Sequence, residues 1–253
     1  MWFPRRAWIR LLLGCLLLSG TAFIAVPSWA DEFTSAQRAE IIAIMRDALK
    51  RDPSILRDAV VALQADDTAR EKTATRGAVL AAKDALVTEN DPVVGNPRGN
   101  VTIVEFFDVR CPYCRKLEPE MAEFLAADHD VRLVYKDLPI LGAASVLGTK
   151  ALLAARKQDG YVKLRDELMR MPPDITRAAI ETAARKLGLD SGRLLHDMDD
   201  PSIQKQIDAN LRLAQRLNIQ GTPAMVVGND LLAGAVDTAG LKAAVAQARS
   251  AKE

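Results

Sequence analysis

Cys111-Pro112-Tyr113-Cys114 places two thiols three positions apart. Residues at i and i+3 share one helix face, so the two sulfurs are within reach of a disulfide if the motif opens a helix. The flanks support that placement. An apolar, β-branched run, 101–107, precedes the motif, and the helix-forming stretch 115–127 follows it. Pro112 suits a first helical turn, where an N–H would have no intrahelical partner. Cys111 then stands where free backbone N–H groups and the helix dipole favour an anion, which stabilises its thiolate. A thiolate with a second thiol one turn behind it is equipped for thiol–disulfide exchange.

Other uses of the pair are open to it. A structural staple would close a very small loop and restrict the unfolded chain little. A zinc-type site needs about four ligands, and His129 and His196 lie outside any zinc spacing. An inert buried pair leaves the helix-start position without a reason.

Composition narrows the setting. The chain has 253 residues, 49% hydrophobic and 26% charged, with a formal net charge of +1. That is ordinary for a globular protein and gives no sign of a nucleic-acid partner. Residues 1–30 read as a cleaved export signal: Arg5 and Arg6, an apolar run over 11–26, then Ser28-Trp29-Ala30 at the cleavage position. Losing Arg5, Arg6 and Arg10 takes the net charge from +1 to −2 and removes Cys15. The mature chain then carries only Cys111 and Cys114 into an oxidising compartment, the periplasm, where one closely spaced pair is better explained by chemistry than by stapling.

The elements that must position the motif follow from periodicity. Residues 31–64 pattern as two helices with an apolar stripe, Phe33, Ile41, Ile44, Met45 and Leu49, continued by Ile55, Leu56, Val60 and Leu63. Residues 65–77 are polar throughout and fit either a solvated helix or a flexible linker. The stretch before 91 is too small to bury a core alone. Its stripes therefore need a partner, either the chain's own second domain or another copy. Asp91–Pro97 is turn-rich and marks a boundary. Beyond it the sequence predicts a strand at 101–107, a helix at 112–127, a strand at 131–135, a helical block at 143–217, with Asp174, Asp190 and Asp200 as helix starts, strands at 224–227 and 231–233, and a closing helix at 238–251. That order, β-α-β, helices, β-β-α, is an α/β thioredoxin fold with a helical insertion. The organisation is a signal at 1–30, an N-terminal helical oligomerisation segment and linker at 31–90, and a catalytic domain at 91–253.

The run Val104-Glu-Phe-Phe-Asp-Val-Arg-Cys-Pro-Tyr-Cys114, with Gly221-Thr-Pro-Ala-Met225, resembles the DsbA-like thiol–disulfide oxidoreductases, and among them the ScsC-type (suppressor of copper sensitivity) proteins. The resemblance implies that Cys111 is the nucleophile and Cys114 the resolving thiol. It implies that Glu105 is a buried acid beneath them. A lone acid in an apolar strand is costly to bury unless it has a use, and a raised pKa would suit proton transfer with Cys114. Pro223 matches the family's cis-proline facing the disulfide, with Thr222 before it offering backbone to an extended substrate. Tyr113 stands where the strongest oxidants of the family carry histidine, which implies a less stabilised thiolate and a less oxidising disulfide.

The expected activity is that of an exported disulfide isomerase or reductase acting on mis-oxidised exported proteins. It would need no cofactor beyond the redox-active disulfide and no metal. A membrane thiol reductase of the ScsB type would keep it reduced, and residues 31–90 would assemble it into a homo-oligomer, a trimer or dimer. The alternatives are a DsbA-like disulfide-forming oxidase and, less favoured, a copper(I)-binding protein using the dithiol.

Overall fold

The computed structural model describes residues 33–251. The expected export signal lies outside them. The chain divides into two units, one up to Val60 and one from Val61 onward.

In the first unit, helix α1 (Ser35–Arg51) starts at a capping box. The Thr34 hydroxyl accepts from the Gln37 amide at 3.3 Å, and the Gln37 side chain accepts from the Thr34 amide at 2.9 Å. Helix α1 buries no residue. Ile41, Ile44, Met45 and Leu49 are exposed, as are Ile55, Leu56 and Val60 at the start of helix α2 (Ser54–Ala81). An apolar stripe of this length is normally turned to a partner.

In the second unit, the polar stretch 65–77 is helical, as part of α2. Helix α3 (Lys83–Leu86) follows. Strand β1 (Val93–Gly95) falls in what the sequence reads as a turn-rich boundary. Three residues are too few for periodicity to show, but Val93 and Val94 pair with Val134 and Leu133. Then come β2 (Val101–Phe107), α4 (Pro112–Ala127) and β3 (Val131–Asp137). The helical insertion holds α5 (Ala143–Arg156), α6 (Tyr161–Arg170), α7 (Arg177–Lys186), α8 (Ser191–Asp197) and α9 (Pro201–Arg216). Asp190 and Asp200 cap α8 and α9 as expected, but α7 is capped by Thr176 rather than Asp174. The Thr176 hydroxyl is in register to accept from the Ala179 amide, at 3.2 Å. Strands β4 (Ala224–Val227) and β5 (Asp230–Ala233) and helix α10 (Thr238–Ser250) complete the unit.

The sheet runs β1-β3-β2-β4-β5, with β2 parallel to β3 and the other pairs antiparallel. Alternation sends Ile103, Glu105 and Phe107 to one face of β2 and Val104 and Phe106 to the other. The first face packs with α4 and the insertion, through Leu117, Phe124, Leu152 and Leu164. The second packs with Val79, Ala82, Leu86, Leu213 and Leu217. Both faces are covered, which is why 101–107 reads as a continuous apolar run. Val79, Ala82 and Leu86, assigned from sequence to the N-terminal segment, are thus core residues of the sheet unit.

Candidate active site

Strand β2 ends at Phe107, and Asp108 turns the chain into α4. The Asp108 carbonyl accepts from the Cys111 amide at 2.9 Å. Its carboxylate accepts from the amides of Arg110 (2.8 Å), Ile140 (2.9 Å) and Leu141 (3.0 Å), tying this loop to the one after β3. Arg115 braces the same loop by donating to the carbonyls of Val109, Leu168 and Met171. Cys111 holds the N-cap position of α4 without a side-chain capping bond, and Pro112 occupies the first turn.

Both cysteines are free thiols. Cys111 is 4% exposed and Cys114 fully buried, whereas Tyr113 between them is 64% exposed. Strand β4 pairs antiparallel with β2, which brings the preceding Thr222–Pro223 to the end of β2 beside Cys111. That peptide bond is cis. As a thiol, Cys111 Sγ donates to the Thr222 carbonyl at 3.1 Å. As a thiolate, it accepts from the Cys114 thiol, from Thr222 and from the amides of Cys114 and Tyr113.

Those bonds separate the two sulfurs. The hydrogen bond from Cys114, followed by those from Thr222 and the amides, lowers the Cys111 pKa to about 5 against the opposing effect of burial. The same bond raises Cys114 far above the ordinary thiol value, helped by burial and by the charges of Cys111 and Glu105. The thiolate is therefore stabilised without a histidine at position 113.

Glu105 lies on the β2 face that also bears Phe107, fully buried, and neither carboxylate oxygen has a hydrogen-bond partner among the described residues. Burial raises its pKa to about 7; Arg165 opposes the shift, while Glu118 and Cys111 add to it. A carboxyl that titrates near neutrality under a thiol of raised pKa is suited to proton transfer.

The sequence-named residues Cys111, Cys114, Thr222, Pro223, Pro112 and Tyr113 thus converge at one end of β2 and α4, with Glu105 behind them. A groove of about 760 Å³ runs beside the motif, lined among others by Tyr113, Lys116, Thr222, Val236 and Gly240. A larger one, about 850 Å³, runs along α9 past Lys136 and reaches neither cysteine. Asp108, Arg115, Glu118 and Arg165 are not evident from sequence. Only Asp108 leaves a local sign there, an Asx-turn residue just ahead of the motif. Among the described residues, no group of three or more His, Cys, Asp or Glu is placed to hold a metal ion. No helix among them is long and apolar enough to cross a membrane.

Residues 102–246 match the DSBA-like thioredoxin domain, and residues 37–70 match the copper resistance protein ScsC N-terminal domain. A thioredoxin-like oxidoreductase from Silicibacter pomeroyi is 42% identical, with 66% of this chain and 98% of that one covered and a TM-score of 0.64. ScsC of Proteus mirabilis in a transitional conformation is 32% identical over 85% of this chain and 96% of that one, with a TM-score of 0.63. The thiol:disulfide interchange protein DsbA of Bordetella parapertussis is 29% identical over 56% of this chain and 70% of its own length. The chain also matches the Na(+)/H(+) antiporter NhaA 3 of Salinispora tropica, 29% identical over 71% of this chain, but spans only 28% of that protein's length.

Proposed function

Because the chain belongs to the DSBA-like thioredoxin family and carries a ScsC-type N-terminal domain, we propose that it is an exported, oligomeric thiol–disulfide isomerase or reductase. The observation that carries the chemistry is the placement of Cys111 at the start of α4, its sulfur 3.1 Å from the Thr222 carbonyl, with Cys114 fully buried one turn behind it, a setting that lowers the Cys111 pKa to about 5 and raises that of Cys114. Cys111 thiolate attacks a client disulfide, forming a mixed disulfide and releasing one client sulfur as a thiolate. Either another client thiol resolves the mixed disulfide, which reshuffles the client, or Cys114 does, which reduces it. In the second route Cys114 gives its proton to Glu105 and attacks Cys111 Sγ. The Cys111–client bond breaks, the Cys111–Cys114 bond forms, and the client leaves as a thiolate that takes up a proton. The protein is oxidised by two electrons and the client reduced by two. Thr222, beside Cys111, offers backbone to the client, and a membrane thiol reductase of the ScsB type returns the disulfide to the dithiol.

The isomerase reading is supported by the exposed apolar side chains of α1 and early α2, which would gather several sites around one client and raise the effective concentration of attacking thiols. A second reading, a disulfide-forming oxidase, is favoured by the stabilised Cys111 thiolate, since stabilising the reduced form makes a disulfide more oxidising. The test is recovery of a scrambled-disulfide substrate by residues 31–253 and by a chain starting at Val61, a cut that keeps Val79, Ala82 and Leu86 in the second core. Reshuffling by the longer chain alone supports the isomerase. Equal behaviour, with oxidation only, supports the oxidase. Alkylation trapping in cells gives an independent answer, free thiols for the isomerase and a closed disulfide for the oxidase.

A further inference from the structure

Among the described residues, the largest side chain buried to below 2% exposure is a cation, Arg165 of α6. Its guanidinium carbon stands 3.9 Å from the centroid of the Tyr135 ring and 4.6 Å from that of Phe107. These two rings frame Glu105. Tyr135 is its paired residue across β2 and β3, and Phe107 is the next residue of β2 on the same face. Arg165 Nη1 donates to Glu118 Oε2 at 2.7 Å, and Nη2 donates to Glu118 Oε1. Glu118 belongs to α4, one turn beyond Cys114, so the ion pair joins the insertion to the active-site helix. Arg165 Nε is buried with no partner among the described residues, and so are both oxygens of Glu105.

A buried guanidinium is a poor choice for packing alone, because its desolvation is repaid only by close pairing. The groups around Glu105 leave it one attractive partner. From α4 it faces Cys111, Cys114 and Glu118, each neutral or anionic, and from β3 the Tyr135 phenol. From α6, Asp166 lies 3.5 Å from Arg165, and Tyr161 donates to the buried Asp137 at 2.9 Å. Among the described groups that act on Glu105, Arg165 alone is cationic.

We infer that Arg165 is a positioning residue for thiol exchange: held over Tyr135 and Phe107 by Glu118, its charge governs the proton carried by Glu105 beneath Cys114. The helical insertion thereby supplies the counter-charge of an acid on the central strand. This rests on the reading that Glu105 takes the Cys114 proton. Removing Arg165 leaves Glu105 protonated to higher pH and unable to accept a proton from Cys114. Removing the charge of Glu118 does the reverse, since a repelling carboxylate is lost and the guanidinium is freed from its partner.

The experiment follows the first-order release of glutathione from the Cys111–glutathione mixed disulfide of the full chain, by rapid quench across pH. In that species Cys111 no longer titrates, so the profile reports Cys114 and Glu105. The unsubstituted protein is expected to show a midpoint at or somewhat below 7, because the Cys111 charge that adds to the rise is absent from the mixed disulfide. Arg165→Met is expected to move it up by about one unit, Glu118→Gln to move it down, and Arg165→Lys to restore much of the native profile. Opposite shifts are the signature, because a purely structural role would move both substitutions the same way. Should Arg165→Met not fold, Arg165→Gln, which is uncharged but keeps a planar polar group, takes its place, and an unmoved midpoint in it overturns the role of Arg165. Glu105→Gln separates the two readings. A midpoint near 7 that survives it overturns the role of Glu105, and that of Arg165 with it. A midpoint lost in Glu105→Gln but unmoved, or moved the same way, in the other variants overturns the role of Arg165 only.

Discussion

The N-terminal unit and the sheet unit treat side chains in opposite ways. The first exposes Ile41, Ile44, Met45, Leu49 and Leu56 to solvent, while the second buries Glu105, Asp137, Lys136 and Arg165. A small pair of helices has no interior and shows its apolar residues outward, ready for a partner. A sheet covered on both faces has apolar burial to spare, and can hold charged groups whose desolvation opposes folding. The proposed association and the proposed chemistry fall in different units, and each has its own expected response to substitution.

The largest expected effect lies in the chemistry. Cys111→Ala is expected to abolish reduction and isomerisation alike in an insulin-reduction or scrambled-substrate assay, leaving the sedimentation mass unchanged. Cys114→Ala keeps the nucleophile, so mixed disulfides are expected to accumulate on non-reducing gels. Retained turnover in Cys111→Ala would sink the mechanism. Next comes association. Ile44→Asp together with Leu56→Asp places charge on the exposed apolar stripe. Sedimentation equilibrium is expected to show a fall to the mass of one chain, with loss of isomerisation and unchanged reduction of a small disulfide. An unaltered mass would remove the N-terminal unit from the assembly.

Stability sharpens the contrast at smaller magnitude. Leu86 is 5% exposed in the second core and Leu56 is 60% exposed. Leu86→Ala is expected to lower the unfolding free energy of the sheet unit by about 2–4 kcal/mol. Leu56→Ala is expected to change it by less than about 0.5 kcal/mol. Urea titrations of both variants at low protein concentration test this. Similar losses would mean that the exposed stripe is already covered within one chain.

Local chemistry made the redox motif legible, and periodicity made β2, α4, β4 and most of the insertion legible. Pro112 and the apolar run before it locate the start of α4 without any long-range knowledge. Glu105 stands out because it is the one charge in that run. What escapes a sequence reading is what depends on distant partners. Arg165 meets Glu118 across 47 positions, and no spacing marks that pair. Strand β1 is defined by β3 rather than by its own three residues. Val79 and Leu86 follow a long polar helical stretch, and only the sheet reveals them as core. The cap of α7 shows a finer limit: Asp174 and Thr176 are both good cap residues, and only the hydrogen bond from the Ala179 amide to the Thr176 hydroxyl distinguishes them.

The smallest expected effect is the most specific to Glu105. Its pKa is raised from 4.5 to about 7 by burial. Below about pH 4.5 it is protonated in the folded and unfolded chain alike and has no effect on stability. Between 4.5 and about 7 the folded chain holds a proton that the unfolded chain has lost, so stability falls as pH rises through that window, and the full penalty is present above it. At 1.36 kcal/mol per unit, the rise from 4.5 to about 7 makes the penalty about 3 kcal/mol. Glu105→Gln has no such ionisation. Its stability advantage over the unsubstituted protein is therefore expected to grow by about that amount between about pH 4.5 and pH 8. Measuring both as the Cys111–Cys114 disulfide removes thiol titration. Asp137, raised to about 7 by its own burial, contributes equally to both and cancels in the difference. A difference flat with pH would mean that Glu105 is charged or solvated in the folded protein, and it would then have no proton-accepting role beneath Cys114.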